Sequence, residues 1–179
     1  VIYELPYIKY VYYDKLLPAF GMTNAQAGFL LSAYAVGCLI LYIPGGILAD
    51  KFSTKKMLVL SLVGTGILGF VMAFSMNYIT AMIVFFLFAV TTSFVFWTAL
   101  NKGLRLLGGK DNSGSTYGWY YALGSVISLV CSFIFWGLYA STDDNHDAMF
   151  RTIIGMSVAV IIAAVFVQIT FKESETEEG

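Results

Sequence analysis

The chain has 179 residues, of which 59% are hydrophobic and 12% charged, with a formal net charge of −1. Soluble globular domains run at about 45–50% apolar and about 25% charged, so the composition excludes an ordinary soluble domain. No basic surface is present to match phosphates, which argues against a nucleic-acid partner.

The charges are clustered. No charged residue occurs between Lys15 and Asp50, Lys56 and Lys102, Asp111 and Asp143, or Arg151 and Lys172. A membrane-spanning helix needs about 20 mostly apolar residues. The gap from Lys56 to Lys102 is too long for one span: at about 1.5 Å per residue it exceeds twice the roughly 30 Å hydrocarbon core. It holds two spans, hinged at Ser75-Met76-Asn77-Tyr78.

In chain order, residues 1–13 are too short to cross a bilayer alone and read as the outer part of a truncated first helix. They contain Glu4, Pro6, Lys9 and five tyrosines, and the chain starts at Val1 rather than methionine, so something upstream is expected to be missing. Asp14 to Asn24 reads as a loop, with Pro18, Gly21 and Thr23-Asn24 as turn and cap signals. Further spans are expected at about 25–49, 56–74, 79–104, 116–139 and 149–171. Small residues at four-residue spacing suit them to close helix packing: Gly28 and Ser32, Ala33 and Gly37, then Ser61, Thr65 and Gly69, then Gly124, Ser128 and Ser132. Polar loops are expected at 107–115 and 141–147. Cys38 and Cys131 fall inside spans and read as packing residues, with no disulfide or metal site inferred from them.

The fold class is thus all-α: a polytopic membrane bundle of six transmembrane helices over residues 1–171, followed by an acidic linker or tail at 172–179. Six spans divide into three and three as an inverted repeat does, although no identity between the halves is visible. With the loop at 50–56 on the cytoplasmic side, seven cations lie inside (Lys51, Lys55, Lys56, Lys102, Arg105, Lys110 and Lys172) against Lys15 and Arg151 outside. The tail is then cytoplasmic too, and the setting is a plasma or inner membrane.

Between the second and third spans stands Pro44-Gly45-Gly46-Ile47-Leu48-Ala49-Asp50-Lys51-Phe52-Ser53-Thr54-Lys55-Lys56. So short a turn between membrane-length segments is expected to force a tight antiparallel hairpin, and Gly45 and Gly46 to let backbones approach closely. The positive-inside rule explains the lysines, but not Gly46 four residues before Asp50 at the membrane boundary. The run Gly46-x-x-x-Asp50-Lys51-x-Ser53-x-Lys55-Lys56 resembles the signature inner loop of major facilitator superfamily transporters, with Ser53 where that family usually has glycine. The resemblance implies the amino-terminal half of a twelve-span transporter, a substrate site between two halves, and a second six-helix half in the same full-length chain. It also implies gating. Asp50 would latch the cytoplasmic face, with Lys102 or Arg105 as its partner.

Glu4 and Lys9 are the charges inside the first helix. Counted from Asp14, Glu4 lies ten residues deeper, roughly 15 Å, near the bilayer midplane. A charge there costs about 2.5–3.5 kcal/mol on insertion scales, so it should face a partner or a watery cavity. Five residues separate the two, roughly 140° around a helix, so they do not share a face. Pro6 removes a backbone hydrogen bond and can bend the helix between them. Glu4 reads as a proton-coupling or substrate carboxylate and Lys9 as a contact for an anionic group; structural pairing or snorkelling is the plainer account of both. Tyr3 and Tyr7 flank Glu4 as hydrogen-bonding groups for a polar substrate.

Tyr117, Trp119, Tyr120 and Tyr121 read as an interfacial aromatic belt, with lining of the cavity by some of them as the alternative. Thr91, Thr92, Ser93 and Trp97 place polar and aromatic groups in the membrane, where helix–helix hydrogen bonding explains the hydroxyls equally well. His146 among Asp143, Asp144 and Asp147 reads as a solvated loop rather than a metal site. No hydrolytic, redox or nucleotide-binding motif occurs, so no enzyme and no cofactor are expected. The expected function is secondary active transport of a small polar or anionic solute (a sugar acid, organic anion or sugar phosphate) through a lipid bilayer, as a symport with protons. A non-transporting membrane sensor or assembly protein on the same fold is the alternative.

Overall fold

The computed structural model describes residues 1–171, apart from the side chains at positions 48–50, 106, 110, 111 and 113. The tail at 172–179 and the side chain of Asp50 lie outside the described residues. The regular elements of the described residues are all helices, with no strand among them.

Residues 1–7 form turns rather than regular helix: Glu4 N donates to Val1 O at 3.1 Å, and Ile8 N to Leu5 O at 3.3 Å. Pro6 has no N–H to continue a regular ladder. Helix follows in two pieces, α1 (Ile8–Val11) and α2 (Tyr13–Phe20). The loop expected from Asp14 onward is therefore corrected: helix continues to Phe20 and stops at Gly21, whose φ of 60° is the left-handed conformation that glycine adopts freely. Tyr12, Leu16 and Phe20, at four-residue spacing, are buried, and α2 packs on α7. That apolar stripe outweighs Pro18, which sits on the exposed side of α2.

A capping box starts α3 (Asn24–Lys51): Thr23 accepts from Gln26 N, and the Gln26 side chain accepts from Thr23 N at 2.9 Å. Phe52 and Ser53 alone separate it from α4 (Thr54–Phe74), and Ser53 caps α4 by accepting from Lys56 N at 3.3 Å. The turn is shorter than the stretch 50–55 expected between the two spans, yet α3 and α4 do not run together as a hairpin. Instead α3 packs on α5 (Tyr78–Ala89) and on a π-helical segment (Val90–Trp97), while α4 packs chiefly on α7 (Asn145–Thr170). Small residues decide the pairing, because lipid leaves little hydrophobic force between helices and close approach has to supply the attraction. A Cβ at Gly45 would lie 2.6 Å from Phe94 O, and one at Gly37 2.7 Å from Ala89 Cβ. On α4, Ser61, Thr65 and Gly69 are buried as their spacing predicts, and Gly69 abuts Ser157 of α7.

The chain leaves the π segment into α6 (Thr98–Ala140), which is broken at Gly109 (φ 59°). Only that residue departs from helical geometry where a polar loop over 107–115 was expected. It still reverses the chain. The Tyr117 hydroxyl reaches Asn101 Oδ1 at 3.2 Å, whereas sixteen residues of straight helix would separate them by about 24 Å. The following loop is also shorter than 141–147, since Asp144 caps α7 by accepting from Asp147 N at 2.7 Å.

Five helical stretches are long and apolar enough to cross a membrane: Asn24–Ile47, Thr54–Phe74, Tyr78–Arg105, Gly114–Ala140 and Asn145–Thr170. The first segment is not among them. Burial is uneven: half of the Thr54–Phe74 window is inside the bundle, against 22% for Asn24–Ile47 and 6% for Gly114–Ala140. The second arm of α6 and one side of α3 thus present apolar faces with no protein partner among the described residues.

Candidate functional site

Between the first segment, α3 and the π segment lies a cavity of about 650 Å³. Each wall follows from helical spacing. Tyr3, Tyr7 and Tyr10 come from one side of the first segment; Leu31, Tyr34, Ala35, Cys38 and Tyr42 form one face of α3; Ser93 and Trp97 close it. Tyr34 and Ala35 stand near the middle of their span, so the cavity sits at mid-depth. Aromatic contacts hold its shape: Tyr7 packs edge-on to Tyr34 with ring centroids 5.9 Å apart, and Tyr3 edge-on to Trp97 at 6.5 Å. Each such pair is worth about 0.5–1.5 kcal/mol beyond its buried area.

Hydroxyls tie the back wall together. Thr92 donates to Phe88 O at 2.6 Å, so Tyr34, 3.0 Å away, donates to Thr92. Thr65 donates to Thr91 at 2.8 Å, joining α4 to the π segment, and Ser93 donates to Cys38 Sγ at 2.9 Å. The threonines that serve as helix–helix bonds and the serine and tryptophan that face the cavity are thus neighbours in one stretch. Among the described residues, none that lines this cavity is charged. Aromatic faces and hydroxyls of this kind receive a ring with one apolar face and polar edges, as in ligand pockets generally.

Glu4 and Lys9 do not line it. The Glu4 carboxylate accepts from Ser128 at 2.8 Å, and Ser128 is near the middle of Gly114–Ala140. The mid-depth position expected for Glu4 is therefore met, although the count began from Asp14, which lies inside α2. A further cavity of about 430 Å³ adjoins Ser128 and is lined by Tyr3, Trp97, Tyr120 and Tyr121. Lys9 stands apart, its ammonium 5.7 Å from the Tyr13 ring centre. Glu4 and Lys9 take different partners, although residues 1–7 are turns and the helical angle between them does not apply, while Tyr3 and Tyr7 meet in the main cavity with rings 6.1 Å apart.

Of the inner-loop residues, Gly45 makes the close approach to Phe94, while a Cβ at Gly46 would meet open space. Gly46 instead borders a second cavity of about 400 Å³. Tyr42 and Trp97 line both this and the main cavity, and Asn101, Lys102, Arg105 and Tyr117 complete its polar side. Lys102 also donates to Phe52 O at 3.4 Å, so the start of α6 is docked on the turn. Lys51 and Lys56 are exposed, and Lys55 half-buried. Sequence reasoning missed Tyr10, Tyr34, Cys38, Tyr42 and Asn101, whereas Tyr117, Tyr120 and Tyr121 take up the alternative to the belt and line the smaller cavities. For α3 the signal was present: Leu31, Tyr34, Ala35, Cys38 and Tyr42 keep helical spacing, but apart from Ser32 every residue around them is apolar as well.

Residues 7–179 match the family model described as Major Facilitator Superfamily. The chain is 30% identical over 166 residues to the inner membrane protein YqcE of Escherichia coli (strain K12), covering 92% of this chain and 39% of that protein. It is 27% identical over 132 residues to the inner membrane protein YihN of the same organism, covering 74% and 31%. An uncharacterized protein of Mycoplasma pneumoniae is 37% identical over 71 residues, covering 39% and 55%. The chain spans well under half the length of the two inner membrane proteins. No solved structure matches it significantly.

Proposed function

The chain belongs to the Major Facilitator Superfamily, and from that premise we propose that it forms the amino-terminal half of a secondary active transporter for a small polar or anionic solute. It is an integral membrane protein, by its five apolar spans and its family together. The observation that carries the reading is the mid-depth cavity, large enough for a sugar-sized molecule and walled by five tyrosines and Trp97. Sugar acids, sugar phosphates and other small organic anions with a hydroxylated body fit such a wall. The second six-helix half would cover the bare faces of α3 and the second arm of α6 and close the cavity from the far side. The relatives' naming as inner membrane proteins supports the same location.

In this reading Glu4 carries the coupling proton, and its support is a carboxylate held at mid-depth on Ser128 beside the cavity of about 430 Å³. Lys9 would meet an anionic group only after rearrangement. The turn bearing Gly46, Asp50, Lys51, Ser53, Lys55 and Lys56 acts as the latch, and the bond from Lys102 to Phe52 supports its docking on the start of α6.

Cys38 offers a direct test because its thiol lines the cavity. The protein in proteoliposomes is offered a panel of small acids and sugars under an imposed pH gradient, and maleimide labelling of Cys38 is followed in parallel. Solutes that are taken up should also slow the labelling. Uptake of no member of the panel, or uptake with no protection of Cys38, refutes the site. Glu4→Gln should abolish acceleration by the pH gradient; uptake that still follows the gradient removes Glu4 from the coupling role.

A further inference from the structure

We propose that the second cavity, at the end of the bundle bearing the Lys51–Lys56 turn, is an oxyanion site of the phosphate class. Thr98, Asn101, Lys102 and Arg105 stand at i, i+3, i+4 and i+7, which brings all four to one face of the first arm of α6. The break at Gly109 then folds the second arm back so that Tyr117 closes the side of that face.

The polar groups are already oriented. Asn101 Nδ2 donates to Trp97 O at 2.9 Å, and the Tyr117 hydroxyl donates to Asn101 O and Oδ1 at 3.3 and 3.2 Å. The amide and phenol are thereby held in place. An ammonium and a guanidinium supply the charge, and Arg105 has no hydrogen-bond or ion-pair partner among the described residues. A guanidinium fork and an ammonium on one wall suit a tetrahedral anion with several acceptor oxygens. The main cavity has no charged lining residue among the described residues and shares Tyr42 and Trp97 with this one. A phosphorylated hydroxylated solute would therefore find its uncharged body and its anionic group served in adjoining spaces. That role rests on the transporter reading above, whereas the anion chemistry does not. A phospholipid headgroup carries the same chemistry from a different source.

The purified full chain in phosphatidylcholine nanodiscs is titrated with inorganic phosphate by calorimetry and thermal unfolding, with chloride holding ionic strength constant. Saturable binding that raises the unfolding midpoint is expected. Arg105→Gln should weaken it on the order of 10-fold or more, the loss of a charge-assisted hydrogen bond, and Lys102→Gln should act alike. Tyr7→Phe, which alters only the main cavity, should leave phosphate affinity unchanged. A second series uses nanodiscs containing phosphatidylglycerol. Weaker phosphate binding there, with the difference lost in Arg105→Gln, identifies lipid as the occupant; equal binding in both identifies a soluble anion, and either outcome supports the site. Absence of saturable binding overturns the proposal. So does undiminished binding in Arg105→Gln and Lys102→Gln proteins whose midpoints in chloride match the parent. Because no uptake is measured, failure here leaves the transport test standing, and the reverse holds too.

Discussion

Lys15 ties the first segment to the far end of α6. Its ammonium donates to Tyr139 O at 3.1 Å and Thr142 O at 2.6 Å, and lies 4.6 Å from the Tyr139 ring centre. Tyr139 belongs to the last turn of α6, where carbonyls have no partner further along the helix and a cation meets the negative end of the dipole. Sequence counting treated this lysine only as an outer-side charge. Lys15→Met keeps the stem and removes the donors, and should cost about 1.5–3 kcal/mol, read as a lower unfolding midpoint in detergent. Lys15→Arg should recover most of that loss. A midpoint unmoved by Lys15→Met would mean that the contact stabilises nothing.

At the scale of the element, the π segment is the piece whose geometry departs furthest from the sequence expectation of a plain span over 79–104. Stretches of π-helix often accompany functional sites. This one has Thr91 and Thr92 turned toward α4 and α3 while Ser93 and Trp97 face the cavity. Thr92→Val keeps the shape and removes the hydroxyl between Tyr34 and Phe88. It should destabilise the protein by about 1–3 kcal/mol, because the Tyr34 hydroxyl is left buried without that partner. Faster maleimide labelling of Cys38 should accompany the loss, as the back wall loosens, while Thr92→Ser should behave as the parent. If the valine variant labels and melts like the parent, the hydroxyl chain does not shape the cavity.

For the whole molecule, the testable property is orientation. The cation count puts the Lys51–Lys56 turn inside and the acidic turn near Asp143 outside. Asp143→Cys should react with a membrane-impermeant maleimide on intact cells, and Lys56→Cys only after permeabilisation. The reverse pattern would invert the topology and move the oxyanion site to the outer side. The uneven burial of the spans belongs to the same scale. Helices that meet lipid and helices that meet another bundle have the same apolar composition, so only the assembled fold shows that α3 and the second arm of α6 are left uncovered.

Much of this architecture was legible in the sequence because the bilayer imposes coarse, local rules. Charge-free stretches of set length located all five crossing helices, and the inner-turn motif identified the family that the profile match shows. What the sequence could not decide is which helix lies beside which. The short stretch 50–55 between two spans suggested a hairpin of α3 with α4, yet Gly37 and Gly45 seat α3 on α5 and the π segment, and Gly69 seats α4 on α7. That choice depends on shape fit between distant surfaces, and apolar periodicity is silent about it where lipid and protein reward the same side chains. The cavity follows from that pairing. Tyr3 and Tyr7 already read as substrate contacts in the sequence, whereas Tyr10, Tyr34 and Tyr42 come from stretches of chain that meet only once the bundle is packed, and they looked like membrane-interface or span residues until the tertiary fold faced them inward.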